Sequence, residues 1–398
     1  MKKVFIIGGG ASGLTAAIKA SKNGNDVTIF EKNNKLGKKI LITGNGKCNY
    51  WNENQDLSNY HSSGDYTKIV NQMNLVKAHT FLDSIGLVPY IKNGYYYPSS
   101  QQAISVVNAL VDEVKNNGVK IINEEVTDVK KKDNKFIINN NYESDVLIIA
   151  TGGMAASKTG SDGFGYKIAQ QFNHNIIKPL PALVGLKTEE NLKDLSGVRF
   201  IGEIKLLINN EEVESELGEI QINEYGFSGI PVMQISSKAI KALDENKNVF
   251  ISINFLPNIA SDILGLRSFI KVQSKHLNNK TITQILDQLF NYKLSNYFLD
   301  KSNIDPKSKV EDLTNDELDL LCHYILNNNY KITDDNGFEN AQVTSGGIDL
   351  KEIDAETLES LKEKNLYFCG EILDVDGACG GYNLSFAWIS GLLAGNIK

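Results

Sequence analysis

The chain has 398 residues, more than one ordinary core accommodates, so two or three packed units are expected. Its 41% hydrophobic and 22% charged residues exclude a disordered or fibrous protein. Its 41 basic against 48 acidic residues leave −7, which does not suit a general binder of phosphate backbones, although a local basic patch stays open.

Val4-Phe5-Ile6-Ile7 is a continuous apolar run of the kind a strand buried on both faces requires. Residues 11–23 then read as a helix ended by Gly24-Asn25, and 26–31 as a second strand, so a right-handed βαβ unit opens the chain. Residues 75–118 look mainly helical, broken at Pro89 and around Tyr95-Tyr96-Tyr97-Pro98. Three short strands are expected at 119–123, 126–130 and 136–139, before a buried run at 145–150 that ends in Thr151-Gly152-Gly153. Alternation at 202–208 and 218–222 predicts half-exposed antiparallel strands, and 261–298 and 315–327 look helical. A strand-to-loop element at 366–371 and a helix at 383–396 close the chain. No stretch approaches the roughly 20 apolar residues that cross a bilayer. Met1-Lys2-Lys3 runs straight into a strand, with no apolar leader and cleavage site. Cys48, Cys322, Cys369 and Cys379 form no CxxC pair and no metal-ligand spacing, so a reduced cytoplasm and no metal are expected.

The chemistry concentrates first at Gly8-Gly9-Gly10-Ala11-Ser12-Gly13. This G-x-G-x-x-G follows a strand, opens a helix, and has Glu31 at the end of the next strand, the context that makes the motif a dinucleotide fingerprint. Gly8 makes the tight turn, Gly10 lets the backbone approach a pyrophosphate, and Gly13 lets helix and strand pack closely. The helix N-terminus adds N–H groups and a partial positive charge. Glu31 can accept both hydroxyls of an adenosine ribose, and its charge repels a 2′-phosphate; Lys32 follows it. Cys48 reads as a small packing residue rather than a redox relay, because no second cysteine is near. The Tyr95–Tyr97 cluster covers a flavin or substrate, anchors an exposed loop, or wedges the core; the residues alone leave all three open. Asp162, in the Gly-rich loop 160–165, caps the following helix, and the glycines of that loop lie near the cofactor. Lys130-Lys131-Lys132 reads as a solvated hairpin end.

Residues 145–153 (DVLIIATGG) and 367–371 (YFCGE) resemble elements of the glutathione-reductase-type FAD fold, and the strands at 119–139 resemble its small β-meander. That resemblance implies FAD near Ala150, Thr151, Gly152 and Gly153, ribityl contacts from Gly370 and Glu371, and the Val126 backbone near adenine. No second G-x-G-x-x-G is present, so a separate nicotinamide domain is not expected.

Residues 36–49 (LGKKILITGNGKCN), 218–230 (GEIQINEYGFSGI) and 344–391 resemble the aminoacetone oxidase/BaiN-type FAD flavoproteins along nearly the whole chain. The resemblance implies an α/β fold with a Rossmann-type, glutathione-reductase-like FAD domain at 1–187 and 342–398. Into it are inserted a β-barrel-like substrate domain at 188–258 and 325–341 and a helical subdomain at 259–324. It places Lys38, Lys39, Thr43 and Gly44 beside the pyrophosphate and flavin, although a solvated loop remains open for the two lysines. It places Cys48 and Asn49 along the flavin edge. Gly380, Gly381, Tyr382, Asn383 and Leu384 would enter a last helix whose positive end faces the flavin pyrimidine.

The resemblance offers oxidation of a small amine or α-aminoketone with O2 giving H2O2, which is the expectation taken here, or NAD(P)H-linked reduction of a C=C bond in a bile-acid-type substrate. An RNA-modifying flavoprotein or a flavin-bound regulator are further classes. FAD is the expected cofactor, with NAD(P)H a transient reductant. The expected partner is a small-molecule substrate, with no nucleic acid or membrane, in a monomer or homodimer. No catalytic side chain is assigned.

Overall fold

The computed structural model describes residues 1–276 and 280–398, so residues 277–279 of the helical stretch expected at 261–298 lie outside the described residues. The chain forms two compact units, Met1–Ala182 with Phe338–Lys398, and Leu183–Gly337.

The first unit is built on a five-stranded sheet whose pairings are all parallel. Its order is Leu366–Phe368, Val146–Ile149, Lys3–Ile7, Asp26–Phe30 and Lys120–Ile122. The runs VFII and VLII are fully buried, as strands covered on both faces must be. Helix Ala11–Lys22 crosses between the first two strands, and helix Tyr382–Ala394 packs against it. Their close contact depends on small residues: a Cβ on Gly391 would lie 2.6 Å from the Ser12 carbonyl oxygen, and one on Gly395 2.4 Å from that of Ala16.

Three expectations need correction here. The strand at residues 120–122 pairs in parallel with the Asp26–Phe30 strand and extends the main sheet, rather than opening the meander. The meander consists of Val129–Lys132, Lys135–Ile138 and Tyr142–Ser144, and Val126 stands in the loop before it, outside any strand. Its hairpin turns at Asp133-Asn134, both at positive φ, the conformation that a two-residue primed turn demands. Lys131 is not simply solvated: its ammonium pairs with Glu363 at 2.5 Å and lies 4.8 Å from the Phe136 ring centre. Finally, the break in the helical stretch 75–118 is a β-hairpin. Pro89–Lys92 pairs with Tyr95–Pro98, which continues onto Trp51–Asn52, between helices Gln72–Ser84 and Ala103–Asn116. Its Tyr-rich strand matches β-propensity, whereas helical periodicity was carried over from the flanking segments.

The second unit contains a closed barrel of Leu186–Thr188, Gly226–Ser228, Glu211–Asn223, Arg199–Ile208, Val249–Asn254 and Asn328–Asp335. Gly202 pairs with Gly218 in the long antiparallel ladder. Helices Ile282–Leu286 and Asn315–Leu326 each start with a capping box, Thr281 with Gln284 and Thr314 with Glu317. Phe255 stacks on Phe200 at 4.5 Å and meets Phe298 edge-on at 5.0 Å. Among the described residues no helix is long and apolar enough to cross a membrane.

Ile148 is fully buried in the strand next to the first. Ile148→Ala should therefore cost about 2–5 kcal/mol in a denaturant melt, and Ile148→Val about 0.5–1.5 kcal/mol. Equal, small losses from both would mean the sheet is not close-packed at this position.

Candidate cofactor site

A cleft runs along the C-terminal edge of the five-stranded sheet, within the first unit. The first turn determines its shape. Gly8 has φ 104°, and a Cβ there would meet the Ala150 carbonyl oxygen at 2.5 Å; a Cβ on Gly13 would meet the Gly8 carbonyl oxygen at 2.0 Å. Both glycines are therefore dictated by backbone against backbone. Gly10 differs: its φ of −81° suits any residue, and nothing lies within 4 Å of where its Cβ would point. Gly10 nevertheless lines the cleft, so a side chain there would occupy ligand space rather than protein.

Glu31 is nine-tenths buried and lies in the cleft wall. Its Oε2 accepts from the Gly9 N–H at 2.8 Å, and its Oε1 accepts from the Asn33 N–H and side-chain amide, each at 2.8 Å. The carboxylate is thus locked against the glycine turn, with acceptor capacity left for hydroxyl donors. Lys32 pairs with Asp162 at 2.6 Å across the mouth of this end. Asp162 Oδ1 also accepts from the Phe164 N–H, so Asp162 caps the Phe164–Gln171 helix and holds Lys32 together. Burial raises the Asp162 pKa, but the bond from Lys32 and the capping N–H outweigh it and hold the carboxyl below its ordinary range.

Farther along, Lys39 is not an open cation. Its Nζ lies 2.7 Å from Glu371 Oε2 and donates to the Ala155 carbonyl at 3.1 Å. Glu371 Oε1 accepts from the Thr344 N–H, and Thr344 Oγ1 accepts from the N–H groups of Met154 and Ala155. Two residues expected to touch the cofactor separately therefore act as one ion pair, clamped by a threonine that sequence reasoning missed. Lys38 donates to Asn33 Oδ1 at 3.2 Å.

Of the expected site residues, Gly8, Gly10, Ala11, Ser12, Glu31, Lys32, Lys38, Lys39, Thr43, Val126, Ala150, Thr151, Gly152, Gly370, Glu371, Asn383 and Leu384 line the cleft. Gly13, Gly44, Cys48, Asn49, Gly153, Gly380, Gly381 and Tyr382 do not. Gly153 packs beneath the Thr344 clamp, where a Cβ would lie 2.4 Å from Thr344 Oγ1. Asn383 Oδ1 accepts from the Gly377 N–H and its amide donates to the Gly377 carbonyl, so this side chain fastens the loop before the last helix. Asn49 carries a buried Oδ1 with no hydrogen-bond partner among the described residues, beside Gly381 at the cap of that helix. Residues missed include Asn33, Glu124, Glu125 and Gln342 in the cleft wall. Asn33 was the readable one, since an amide two residues after the acidic ribose partner is placed to orient it.

The residues present fit FAD: an open glycine at a helix N-terminus in the cleft, and beside it a buried carboxylate held by the Gly9 N–H with acceptor capacity to spare. Cys48, Cys322 and Cys369 are buried, and burial pushes each thiol up to about 12. Among the described residues no group of three or more His, Cys, Asp or Glu could hold a metal ion.

A doubly wound nucleotide fold with this cleft is that of a flavin-dependent oxidoreductase. The HI0933-like protein Rossmann domain family matches residues 2–397, and the chain belongs to this FAD-binding family. It is 37% identical, over 99% of its length and 98% of the relative's, to 3-dehydro-bile acid delta(4,6)-reductase of Clostridium scindens. It is 29% identical to the ribosomal RNA dihydrouridine synthase of Haemophilus influenzae, over 97% of this chain and 96% of the relative's. To that of Escherichia coli it is 28% identical, over 97% and 95%.

Gly10→Ala should leave thermal unfolding of the apoprotein unchanged while weakening FAD binding at least tenfold, whereas Gly13→Ala should fail to give folded protein. Equal FAD affinity for wild type and Gly10→Ala would show that nothing comes close to that position. Glu31→Gln removes the charge from an acceptor held by three N–H donors and should weaken FAD by about 1.5–3 kcal/mol, measured by equilibrium titration of apoprotein. Brief alkylation of native protein at pH 8 should label Cys379 before the other three cysteines, read by peptide mass spectrometry. Early labelling of Cys48 would contradict its burial.

Proposed function

We propose that this oxidoreductase saturates a carbon–carbon double bond conjugated to a carbonyl, using NAD(P)H as a transient electron source. The observation that carries the reading is the 37% identity along essentially the full length of both chains to a delta(4,6)-reductase of a 3-dehydro bile acid. The dihydrouridine synthases support the same chemistry, because the uracil ring also offers a C=C bond beside a carbonyl. Such a bond accepts hydride at its β-carbon and a proton at its α-carbon, while its carbonyl oxygen takes up negative charge. Bound FAD would supply the hydride.

The chain's own residues supply the rest. Glu31, steadied by Asn33, would hold the adenosine ribose of FAD, and the N-terminus of the first helix at Gly10 and Ala11 would receive its pyrophosphate. The Lys39–Glu371 pair leaves no open cation at its place in the cleft wall, so phosphate would be met chiefly by backbone N–H groups. Asn383 and Leu384, in the first turn of the helix beginning at Tyr382, line the cleft, so the positive end of that helix dipole would face bound FAD. The substrate is a small molecule; the net charge of −7 opposes a phosphate backbone. Oxidation of an amine or α-aminoketone rests on family resemblance alone and is the competing outcome of the test.

In anaerobic stopped-flow mixing of the holoenzyme, NADH or NADPH should bleach the flavin absorption, and a cyclic enone added afterwards should restore it. Rapid bleaching by aminoacetone, with none by either nicotinamide, would replace this reading by the amine oxidase.

A further inference from the structure

Of the five histidines only His174 is buried. It follows helix Phe164–Gln171, and the Phe368 ring meets it edge-on at 5.0 Å. Its Nε2 lies 2.7 Å from Ser360 Oγ. That oxygen already accepts from the N–H groups of Lys362 and Glu363, at 3.1 and 2.8 Å. A hydroxyl has two lone pairs and one hydrogen, so Ser360 must donate to Nε2, which leaves the imidazole neutral with its proton on Nδ1. Nδ1 stands 3.2 Å from Glu352 Oε2, close enough for attraction but out of line for a hydrogen bond. Glu352 is itself held by others: Oε2 accepts from the Asn175 N–H at 2.7 Å, and Oε1 pairs with Lys362 at 2.5 Å.

Protonating the ring would break this arrangement. Nε2 would carry a hydrogen aimed at an oxygen whose lone pairs are taken, and the Ser360 hydroxyl would lose its acceptor inside the fold. Burial, the largest influence, holds the ring below its ordinary titration range; Glu352 pulls the other way, and Lys362 opposes the charge again. The carboxylates of the neighbouring turn are engaged elsewhere. Glu363 pairs with Lys131 at 2.5 Å, Glu359 Oε1 accepts from the Asn365 N–H at 2.7 Å, and Asp354 accepts from the N–H groups of Glu356 and Thr357. Because the fold favours the neutral ring, its contribution is present above about pH 6.5 and is lost as acid protonates the opened form.

The ring pins a loop. Residues 349–365 run between strands Val343–Ile348 and Leu366–Phe368. The two ends of this excursion meet where the Thr344 N–H donates at 2.9 Å to Glu371, a residue of the cofactor cleft. Leu358, buried within the loop, has φ 59°, a left-handed backbone that a bulky side chain rarely adopts. Such a residue keeps its conformation only while its surroundings impose it, so the loop is poised to open when a fastening fails. We propose that His174 is the pin of an acid-operated staple, which holds residues 349–363 against the end of the 164–171 helix and, when protonated, frees them and slackens the Thr344–Glu371 contact beside bound FAD. The staple involves the cofactor alone and does not depend on which substrate is reduced.

The test is hydrogen exchange of the holoenzyme, read by mass spectrometry at about pH 7.5 and 5.5 and corrected for the intrinsic exchange rate. Opening of peptides within 349–363 should rise about tenfold on acidification, the change produced by one imidazole that protonates only in the open form, while residues 3–22 stay protected. His174→Gln, which cannot take up the charge, should open equally at both values. FAD release after dilution, followed by flavin fluorescence, should accelerate on acidification in the wild type and not in the variant. An equal acid response in wild type and His174→Gln, no acid response in the wild type, or loop opening without faster FAD release would each overturn the staple. Where His174→Gln does not fold, spectra of the wild-type holoenzyme labelled with 15N-histidine decide. One ring should keep its neutral, Nδ1-protonated signature after acidification, and charging of every histidine would overturn the proposal.

Discussion

The contact on which the structure depends is backbone against backbone at the first turn. Gly13 meets the Gly8 carbonyl and Gly8 meets the Ala150 carbonyl, at distances no side chain tolerates. Only this approach lets the first helix start directly over the edge of the sheet. Everything near the cleft is then referenced to that helix start. Ser12 Oγ donates to the Cys369 carbonyl, Gly370 closes on Ser12, and Gly391 of the last helix packs on the Ser12 carbonyl. Segments from four distant parts of the sequence converge within one helical turn, and the cleft is what remains between them.

Its electrostatics follow from the same economy of space. Four of the charged groups around the cleft are paired with one another, Lys39 with Glu371 and Lys32 with Asp162, and all four are partly exposed. Such pairs are individually worth little, about 0–1 kcal/mol. They can therefore be rearranged by a ligand at small expense while still preventing a large fixed field. Attraction for a diphosphate is left to the helix N-terminus, whose N–H groups point in one direction and need no reorganisation. Glu31 works oppositely: three N–H donors hold its carboxylate in place, so its orientation is preset before any ribose arrives.

What was legible in the sequence was local. The G-x-G-x-x-G, the buried runs at 4–7 and 146–149, and Glu31 carry their meaning within about thirty residues, because a βαβ unit is a local object. The barrel strands announced themselves by alternation, as at Gly202 and Gly218. The strand at 120–122 was misassigned because its partner, Asp26–Phe30, lies about ninety residues upstream, and pairing over that distance leaves no mark on either segment. Thr344 was missed for a similar reason: its clamp on Met154, Ala155 and Glu371 exists only after the chain has returned from the second unit. The hairpin at 89–98 was hidden by its neighbours. Its Asn-Gly turn was readable, but the helical texture on both sides absorbed it.

These two kinds of construction have different consequences for evolution of the site. The turn at the head of the cofactor cleft is made of glycines and main-chain groups, and at Gly8 and Gly13 any side chain meets a carbonyl, so those two positions admit little variation. The hairpin face is made of side chains projecting from a two-residue turn, and its backbone pairing is indifferent to what Tyr90, Lys92, Tyr95 and Tyr97 are. A change there alters shape and charge on the hairpin without disturbing the contact at Gly8 and Gly13. Relatives at 28–37% identity over nearly the whole chain, with named substrates as different as a bile acid and ribosomal RNA, are compatible with a fold whose first turn is fixed by backbone contacts while exposed side chains elsewhere are free to change.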